Sequence, residues 1–371
     1  MEFSWGIPED GTWYHLGNST ENERGSTGNL PEKSYSYKAG KTTLKRKFVI
    51  IGNLLIMAER TKPIPHAKPF LKWAGGKTQL LDEFYKRLPE GLGEKGKITR
   101  YVEPFIGGGA VFFYLTRKFP FEGCWIGDAN EELILTYRVI QKSVKELIGE
   151  LGILESAYIA GNENEREAFY YAIRDSFNNE LPGINFQKYG TGWAERAARV
   201  IFLNRTCYNG LFRVNRNGEF NVPFGRYKNP DILNKANLQD VAQVLKNTRI
   251  IRGDFTRCRD YVDDHTFVYF DPPYRPISQT SSFTSYSKGG FSEKDQHRLA
   301  ALFRELDIKG AKIMLSNSDP RNQDPHDTFF DDLFAGYYIE RVPARRMINC
   351  NGTRRGSIDE LIITNYPTGK R

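Results

Sequence analysis

Arg100-Tyr101-Val102-Glu103-Pro104-Phe105-Ile106-Gly107-Gly108-Gly109, followed by Cys124-Trp125-Ile126-Gly127-Asp128, is the stretch whose reading decides the fold. Arg100 to Glu103 reads as a short strand stopped by a proline and a glycine-rich turn. Cys124 to Gly127 reads as a second short strand, ending at Asp128. Beyond it Leu133, Tyr137, Ile140, Val144, Leu147 and Leu151 recur by four and three, one apolar stripe along a strong helix. In an α/β sheet of this kind ligands bind at the carboxyl ends of the strands, where the glycines and Asp128 fall.

The same rhythm continues outward. Thr78 to Leu88 places Leu81, Phe84 and Leu88 on one helical face. Arg249 to Arg252, Phe267 to Phe270, Lys312 to Leu315 and Glu360 to Thr364 read as further strands. Ser292 with Asp295 three residues on forms a capping-box pattern, opening a helix whose apolar face is Leu299, Leu302, Phe303 and Leu306. Short apolar strands alternating with helices predict an α/β fold, a mostly parallel sheet with helices on both faces. Residues 155–248 break the rhythm: helical patterns run to Asn204, then a Gly- and Asn-rich stretch follows. They read as an insertion, which leaves 63–154 and 249–371 as the sheet domain. Residues 1–62, polar and with little periodicity before Phe48, read as a mostly disordered extension. Met57 offers a later start.

Composition narrows the function. The chain has 371 residues, 25 Phe and 20 Tyr, ample for one large domain or two smaller ones. A formal net charge of +8 favours an anionic partner, nucleic acid or an acidic membrane surface. Phe48 to Met57, preceded by Lys45, Arg46 and Lys47, superficially resembles the start of a signal peptide, but it is too short to span a bilayer and lies well inside the chain. Cys124, Cys207, Cys258 and Cys350 are scattered, with no metal-pair spacing, so neither a metal nor a disulfide framework is expected, and a cytoplasmic location is.

Three constellations carry chemistry. Phe70-Leu71-Lys72-Trp73-Ala74-Gly75-Gly76-Lys77-Thr78 invites a phosphate-loop reading, which fails because Leu71 stands where the first glycine is required. Gly107 and Gly109 follow a strand closely enough for a cofactor to approach backbone, yet Phe112 stands where a dinucleotide fingerprint wants a third small residue. Asp128 has two readings, a ribose ligand or a helix N-cap before Asn130 and Glu131. Asp271-Pro272-Pro273-Tyr274 follows a strand directly: either a plain strand-ending turn, or a rigid edge that sets a carboxylate beside an aromatic ring. From Arg199 to Lys228 six basic residues and one acid are interleaved with Tyr208, Asn209, Asn215, Asn217 and Asn221, a solvated loop or a surface that neutralises phosphates and reads base edges.

In combination these motifs resemble the amino-group DNA methyltransferases, and closely the Dam-type adenine methyltransferases, over Lys68 to Tyr366; residues 1–62 have no counterpart. FLKWAGGK is similar to the family's amino-terminal cofactor motif, EPFIGGGAVFF to its glycine-rich motif, DPPY to its catalytic motif and FLNRTCYNGLFRVNRNGEFNVPFGRY to its DNA-reading hairpin. The resemblance implies a Rossmann-like S-adenosylmethionine-dependent fold in which 155–248 is an inserted target-recognition domain with a β-hairpin. It implies cofactor contacts from Trp73, Lys77, Glu103, Phe105, Gly107 and Gly109, ribose binding by Asp128, and adenine contacts from Asp254 and Phe255. The partner implied is double-stranded DNA, acted on by a monomer at GATC, for restriction-modification or for marking DNA in repair and replication.

The target base would be flipped from the duplex and stacked on Tyr274, with the Asp271 carboxylate and the Pro272 carbonyl accepting hydrogen bonds from its amino group. Tyr208 and Asn209 would enter the stack. Leu211, Arg213 and Pro223 would read outer bases, Lys72 the first guanine, and Arg226 would hold phosphate. Cys207 and Cys258 would be packing residues. A cytosine-N4 methyltransferase is the alternative within the class, weighed against by Asp271 where Ser is usual. A non-catalytic DNA-binding module is the alternative outside it, weighed against by intact motifs.

Overall fold

The computed structural model describes residues 65–73, 75–275, 291–344 and 358–369, together with the backbone of three strands nearer the amino terminus. Those strands, β1 (Lys33–Ala39), β2 (Thr42–Ile51) and β3 (Leu54–Ile56), pair antiparallel, Lys33 opposite Phe48 and Val49 opposite Ile56. They belong to a unit that ends at Pro63. Tyr35, Tyr37, Thr42, Thr43, Phe48 and Val49 are residue types that favour strands. The apolar stretch that begins at Phe48 lies within β2 and β3, and its last residue, Met57, falls outside the described residues.

The second unit, Ile64–Arg371, is built on a seven-stranded sheet. Its strands are β4 (Arg100–Glu103), β5 (Gly123–Asp128), β6 (Thr248–Arg252), β7 (Thr266–Phe270), β8 (Lys312–Ser318), β9 (Tyr338–Ala344) and β10 (Ile358–Thr364), in the order β6-β5-β4-β7-β8-β10-β9. The first five in chain order run parallel, while β10 is antiparallel to both β8 and β9. Side-chain alternation sorts the sheet's residues into two cores. Tyr101, Ile126, Phe267, Tyr269 and Met314 face one, and Val102, Trp125, Val268, Phe270 and Ile313 the other. Helices α2 (Ala110–Lys118) and α3 (Glu131–Ala160) cover the first face; α7 (Glu293–Ile308) and α8 (Phe329–Leu333) cover the second. Ser292 and Asp295 form the expected capping box on α7.

The helix expected over 78–88 is shorter: a 3-10 turn at Lys77–Leu80 leads into α1 (Leu81–Tyr85). Pro89 disfavours helical backbone at Leu88, which shortens the run. The expected insertion holds α4 (Glu163–Glu180), α5 (Trp193–Thr206) and α6 (Lys235–Leu245). Its boundary at 154/155 falls inside α3, which bends at Ser143 and continues to Ala160. A buried ion pair, Arg196 Nη2 to Glu132 Oε1 at 2.6 Å, ties α5 to the start of α3, so these helices share a core with the sheet.

Candidate active site

From β4 the chain steps outward to β5 and β6, then returns to β7 on β4's other side. This switch point opens a crevice at the carboxyl ends of β4 and β7. Glu103 ends β4 and is buried; Tyr101 Oη donates to it at 2.7 Å, and burial pushes its carboxyl well above the usual range. The chain then turns through Gly107 (φ 46°) and Gly109 (φ 76°) into α2. A Cβ on Gly109 would lie 2.6 Å from Tyr137 Oη, so only glycine fits both the conformation and the space. Asp128, at the end of β5, holds this turn: its Oδ2 accepts from Gly107 N at 3.1 Å and its Oδ1 from Asn130 N at 2.9 Å. Burial pushes its carboxyl up to about 6, against the pull of those amides. The N-cap of α3 is Asn130, two positions beyond Asp128, and it accepts from Leu133 N at 3.0 Å. Beside the crevice Phe105 stacks on Phe255, centroids 5.3 Å apart, and Phe291 meets both rings. Asp254 caps the 3-10 turn that starts at Phe255 and pairs with Arg298 at 2.9 Å; burial raises its carboxyl, but Thr256 and Arg298 outweigh that and hold it low.

Asp271 leaves β7 at the centre of the crevice. Lys77 Nζ lies 2.5 Å from its Oδ1, and Ser316 Oγ donates to the same oxygen at 3.3 Å. Burial raises the Asp271 carboxyl despite the lysine. On Lys77 the balance goes the other way: burial lowers it, but Asp271, Tyr274 and Glu360 together raise its ammonium. That ammonium also sits 4.8 Å from the centre of the Tyr274 ring. Tyr274 is exposed, and its hydroxyl donates to both oxygens of buried Glu360 on β10, at 2.8 and 2.9 Å. The site thus presents a carboxylate and an exposed aromatic side chain on one rigid Pro-Pro turn, backed by a lysine.

Trp73 stacks on Phe212 at 5.5 Å, and its ring edge would lie 2.9 Å from a Cβ on Gly107, so the FLKWAGGK segment packs on the glycine turn; Ala74 lies outside the described residues. Asn204, fully buried in α5, joins this segment to the loop that follows α5: it accepts from Lys72 N at 2.8 Å and donates to Lys72 O and Gly210 O, both at 2.9 Å. Lys72 Nζ lies 4.8 Å over the Tyr227 ring. Tyr208 and Asn209 (φ 58°) stand exposed on the loop, and Tyr208 N donates to Pro223 O at 2.8 Å. A narrow hairpin follows, with single bridges Cys207–Phe224 and Val214–Phe220 and a turn closed by Asn215 N to Glu219 O at 2.8 Å. Arg213 is exposed and donates from Nε to Asn221 Oδ1 at 2.8 Å, while Leu211 is half-buried and Pro223 exposed. Arg226 donates to Glu163 at 2.9 Å and to Glu167 at 2.8 Å, so two carboxylates hold the side chain expected on phosphate. Cys207 and Cys258 are buried, which pushes each thiol up to about 12 and leaves neither a thiolate near neutrality; Cys350 lies outside the described residues. Among the described residues no cluster of three metal-ligating side chains forms, and no helix is long and apolar enough to cross a membrane.

Sequence reading missed Glu360, Ser316 and Asn204. An acid placed directly before the apolar run Leu361-Ile362-Ile363, inside the last strand, was the available signal for Glu360, since such residues are rarely buried unless partnered.

A mostly parallel seven-stranded sheet with an acid at the tip of each of β4, β5 and β7 is an α/β fold that fits a methyltransferase. The family model described as D12 class N6 adenine-specific DNA methyltransferase matches residues 73–348, and the chain belongs to that family. It is similar to the type II methyltransferase M.MjaIII of Methanocaldococcus jannaschii, 51% identical over 81% of this chain and 99% of that one. It is similar also to the type II methyltransferase M1.LlaDCHI of Lactococcus lactis subsp. cremoris, 39% identical over 81% and 95%. The DNA adenine methylase of Escherichia coli K12 is 32% identical over 81% and 96%. The protein is an adenine-specific DNA methyltransferase, which disfavours the cytosine-N4 and non-catalytic alternatives.

Proposed function

We propose that the protein transfers the methyl group of S-adenosylmethionine to the N6 amino group of adenine within GATC in double-stranded DNA. The observation that carries the chemistry is Asp271 and Tyr274 on one rigid turn at the switch point, the carboxylate held by Lys77 and Ser316 and the ring by Glu360. S-adenosylmethionine, when bound, supplies an electrophilic methyl group on a cationic sulfur. The donor set fits it. Glu103, Asp128 and Asp271 bring three carboxyl groups to neighbouring strand tips, Asp271 already paired with Lys77, a surrounding suited to a cationic sulfonium. Asp128 spends one lone-pair direction of each oxygen on backbone amides, leaving acceptors for vicinal hydroxyls. Phe105 and Phe255 offer apolar rings for a base, and Asp254 adds a carboxylate at the same rim, already shared with Arg298.

The target nitrogen is conjugated with its purine ring and is a poor nucleophile. Tyr274, exposed and with its hydroxyl anchored, is suited to stack on an adenine flipped out of the duplex at a cost of a few kcal/mol. Asp271 and the Pro272 carbonyl accept from the amino group, which favours pyramidal nitrogen and aims its lone pair at the methyl carbon. Lys77 occupies one Asp271 oxygen, and Oδ2 remains the acceptor toward the base. The rate comes from positioning and electrostatics, without a covalent enzyme intermediate. Residues 155–248 act as the target-recognition part: Tyr208 and Asn209 enter the stack, Leu211, Arg213 and Pro223 read outer bases, and Lys72, clamped through Asn204, reads the first guanine. Arg226 reaches phosphate by exchanging Glu163 and Glu167 for it.

The experiment is to incubate plasmid DNA with protein and cofactor, then digest with a nuclease that cuts only adenine-methylated GATC. Cleavage is expected; resistance alongside measurable methyl incorporation overturns the site and leaves the chemistry.

A further inference from the structure

β6 is the free edge of the sheet, and its exposed carbonyls are already spent. Thr248 O accepts from Gln141 Nε2 at 2.7 Å, Ile250 O from Arg138 Nη2 at 3.3 Å and Arg252 O from Arg257 Nη1 at 2.8 Å. These are alternate residues on one edge, so no further strand can pair there. The capping side chains instead leave their cationic ends along the edge. A cavity of about 280 Å³ is lined by Arg138, Arg252 and Arg257, and a second of about 450 Å³ by Arg138, Lys142 and Arg249. Arg138 and Gln187 line both, which makes them one groove. Of its five cations Arg252 alone forms an ion pair among the described residues, with Glu131. Lys142 and Arg249 rest on the Tyr189 and Tyr261 rings, at 4.9 and 4.3 Å, rather than on carboxylates. Burial, then the neighbouring Arg252 and Arg257, hold the Arg138 guanidinium below its ordinary value, which is the mark of positive charge gathered without its counter-charge.

We infer that this groove is a second DNA site, one that holds the phosphodiester backbone outside the target sequence without reading bases. A five-residue strand extends roughly 16 Å, the axial length over which one DNA strand presents about five phosphates. Guanidinium groups suit phosphate oxygens geometrically, and the groove's open shape admits a continuous chain rather than a single ion. It adjoins the carboxyl ends of β5 and β6 through Gly253, whose N donates to Asp128 O at 3.0 Å. The inference rests on the chain acting on DNA and is independent of the choice of GATC.

The test compares the full-length protein with the triple variant Arg138→Gln, Lys142→Gln, Arg249→Gln on two duplexes. One is long and lacks the target; the other carries the target and ends within a helical turn of it. With three cations removed, at about 0.9 per phosphate contact, the slope of log K against log salt on the long duplex is expected to fall by roughly 2 to 3. Slope and single-turnover rate on the short duplex should stay unchanged. Arg249→Glu alone, at an exposed position, should weaken long-duplex binding in the same direction and guards against a folding defect in the triple variant. An unchanged long-duplex slope, or an equal fall on both duplexes, overturns the inference. So does pyrophosphate that binds the wild-type groove and not the variant while the slope stays the same, since the groove would then take a small phosphate.

Discussion

Glu360→Gln isolates the contact that fixes the Tyr274 ring. Both oxygens of this buried carboxylate accept from a single phenolic hydroxyl, at 2.8 and 2.9 Å. A hydrogen bond to a charged group contributes about 1.5–3 kcal/mol and a neutral one about 0.5–1.5, so glutamine in the same pose loses about 1–1.5 kcal/mol. Expressed entirely as lost orientation of the ring against the base, that is a roughly 5- to 13-fold fall in the single-turnover rate. Tyr274→Phe removes the same bond from the other side and strands the buried carboxylate, so it should also lower stability by about 1–3 kcal/mol. Because both substitutions delete one contact, the double variant should react no more slowly than Tyr274→Phe. The assay is transfer of a labelled methyl group onto duplex DNA with protein in excess, alongside thermal unfolding of each variant. A wild-type rate for Glu360→Gln, or a double variant whose defect is the product of the two single ones, would refute the positioning role.

Asp271→Asn keeps the shape and loses the charge at the reacting nitrogen; single-turnover transfer should fall about 10²–10³-fold, the usual scale for one electrostatic contact at a transition state. DNA affinity measured in parallel should not change, and substantial turnover at saturating cofactor would contradict the assignment. Asp128 gives a pH signature. Burial raises its folded carboxyl from the ordinary aspartate range to about 6, so its contribution to stability is greatest below that ordinary range and is lost as pH rises through about 6. Binding to ribose hydroxyls wants the ionised form, so calorimetry should find S-adenosylmethionine binding weakening as pH drops below about 6, and Asp128→Asn should bind poorly at every pH. Replacing Glu163 and Glu167 by Gln frees Arg226 and should tighten DNA binding with a steeper salt dependence, a gain that disappears in the Arg226→Ala background. Arg213→Ala should relax discrimination at one outer base pair by about 1–3 kcal/mol, read from rates on single-base variants of the site.

The sheet was legible because its central strands are short, apolar and bounded by glycine, proline or acid; the strands read at Arg100, Phe267 and Lys312 reappear as β4, β7 and β8. The strand β9 was not, since Tyr338–Ala344 carries Glu340, Arg341 and Pro343 and, among the described residues, pairs with β10 alone, at the sheet's edge, where such residues are tolerated. Helix α6 was hidden behind the irregular stretch that precedes it, although Leu238, Val241, Ala242 and Leu245 are buried at helical spacing. Asp271, Tyr274, Glu103 and Asp128 could be picked out because each ends or follows a strand. Their pairings could not: Lys77, read as a cofactor contact, stands 194 positions from Asp271, and Glu360 stands 86 from Tyr274, so only the folded chain brings each pair together. Arg226 shows the opposite limit, for its sequence context gives a basic residue in a basic segment and no hint of the two glutamates from α4 that hold it.

The central claim is adenine-N6 transfer at GATC, and base-resolved mapping of plasmid DNA treated with the protein and S-adenosylmethionine tests it most directly. The account predicts methyl groups on the N6 of adenine in GATC, on both strands, and absent when Asp271 is replaced. Methylation of cytosine N4, or of adenines in an unrelated sequence, would contradict it.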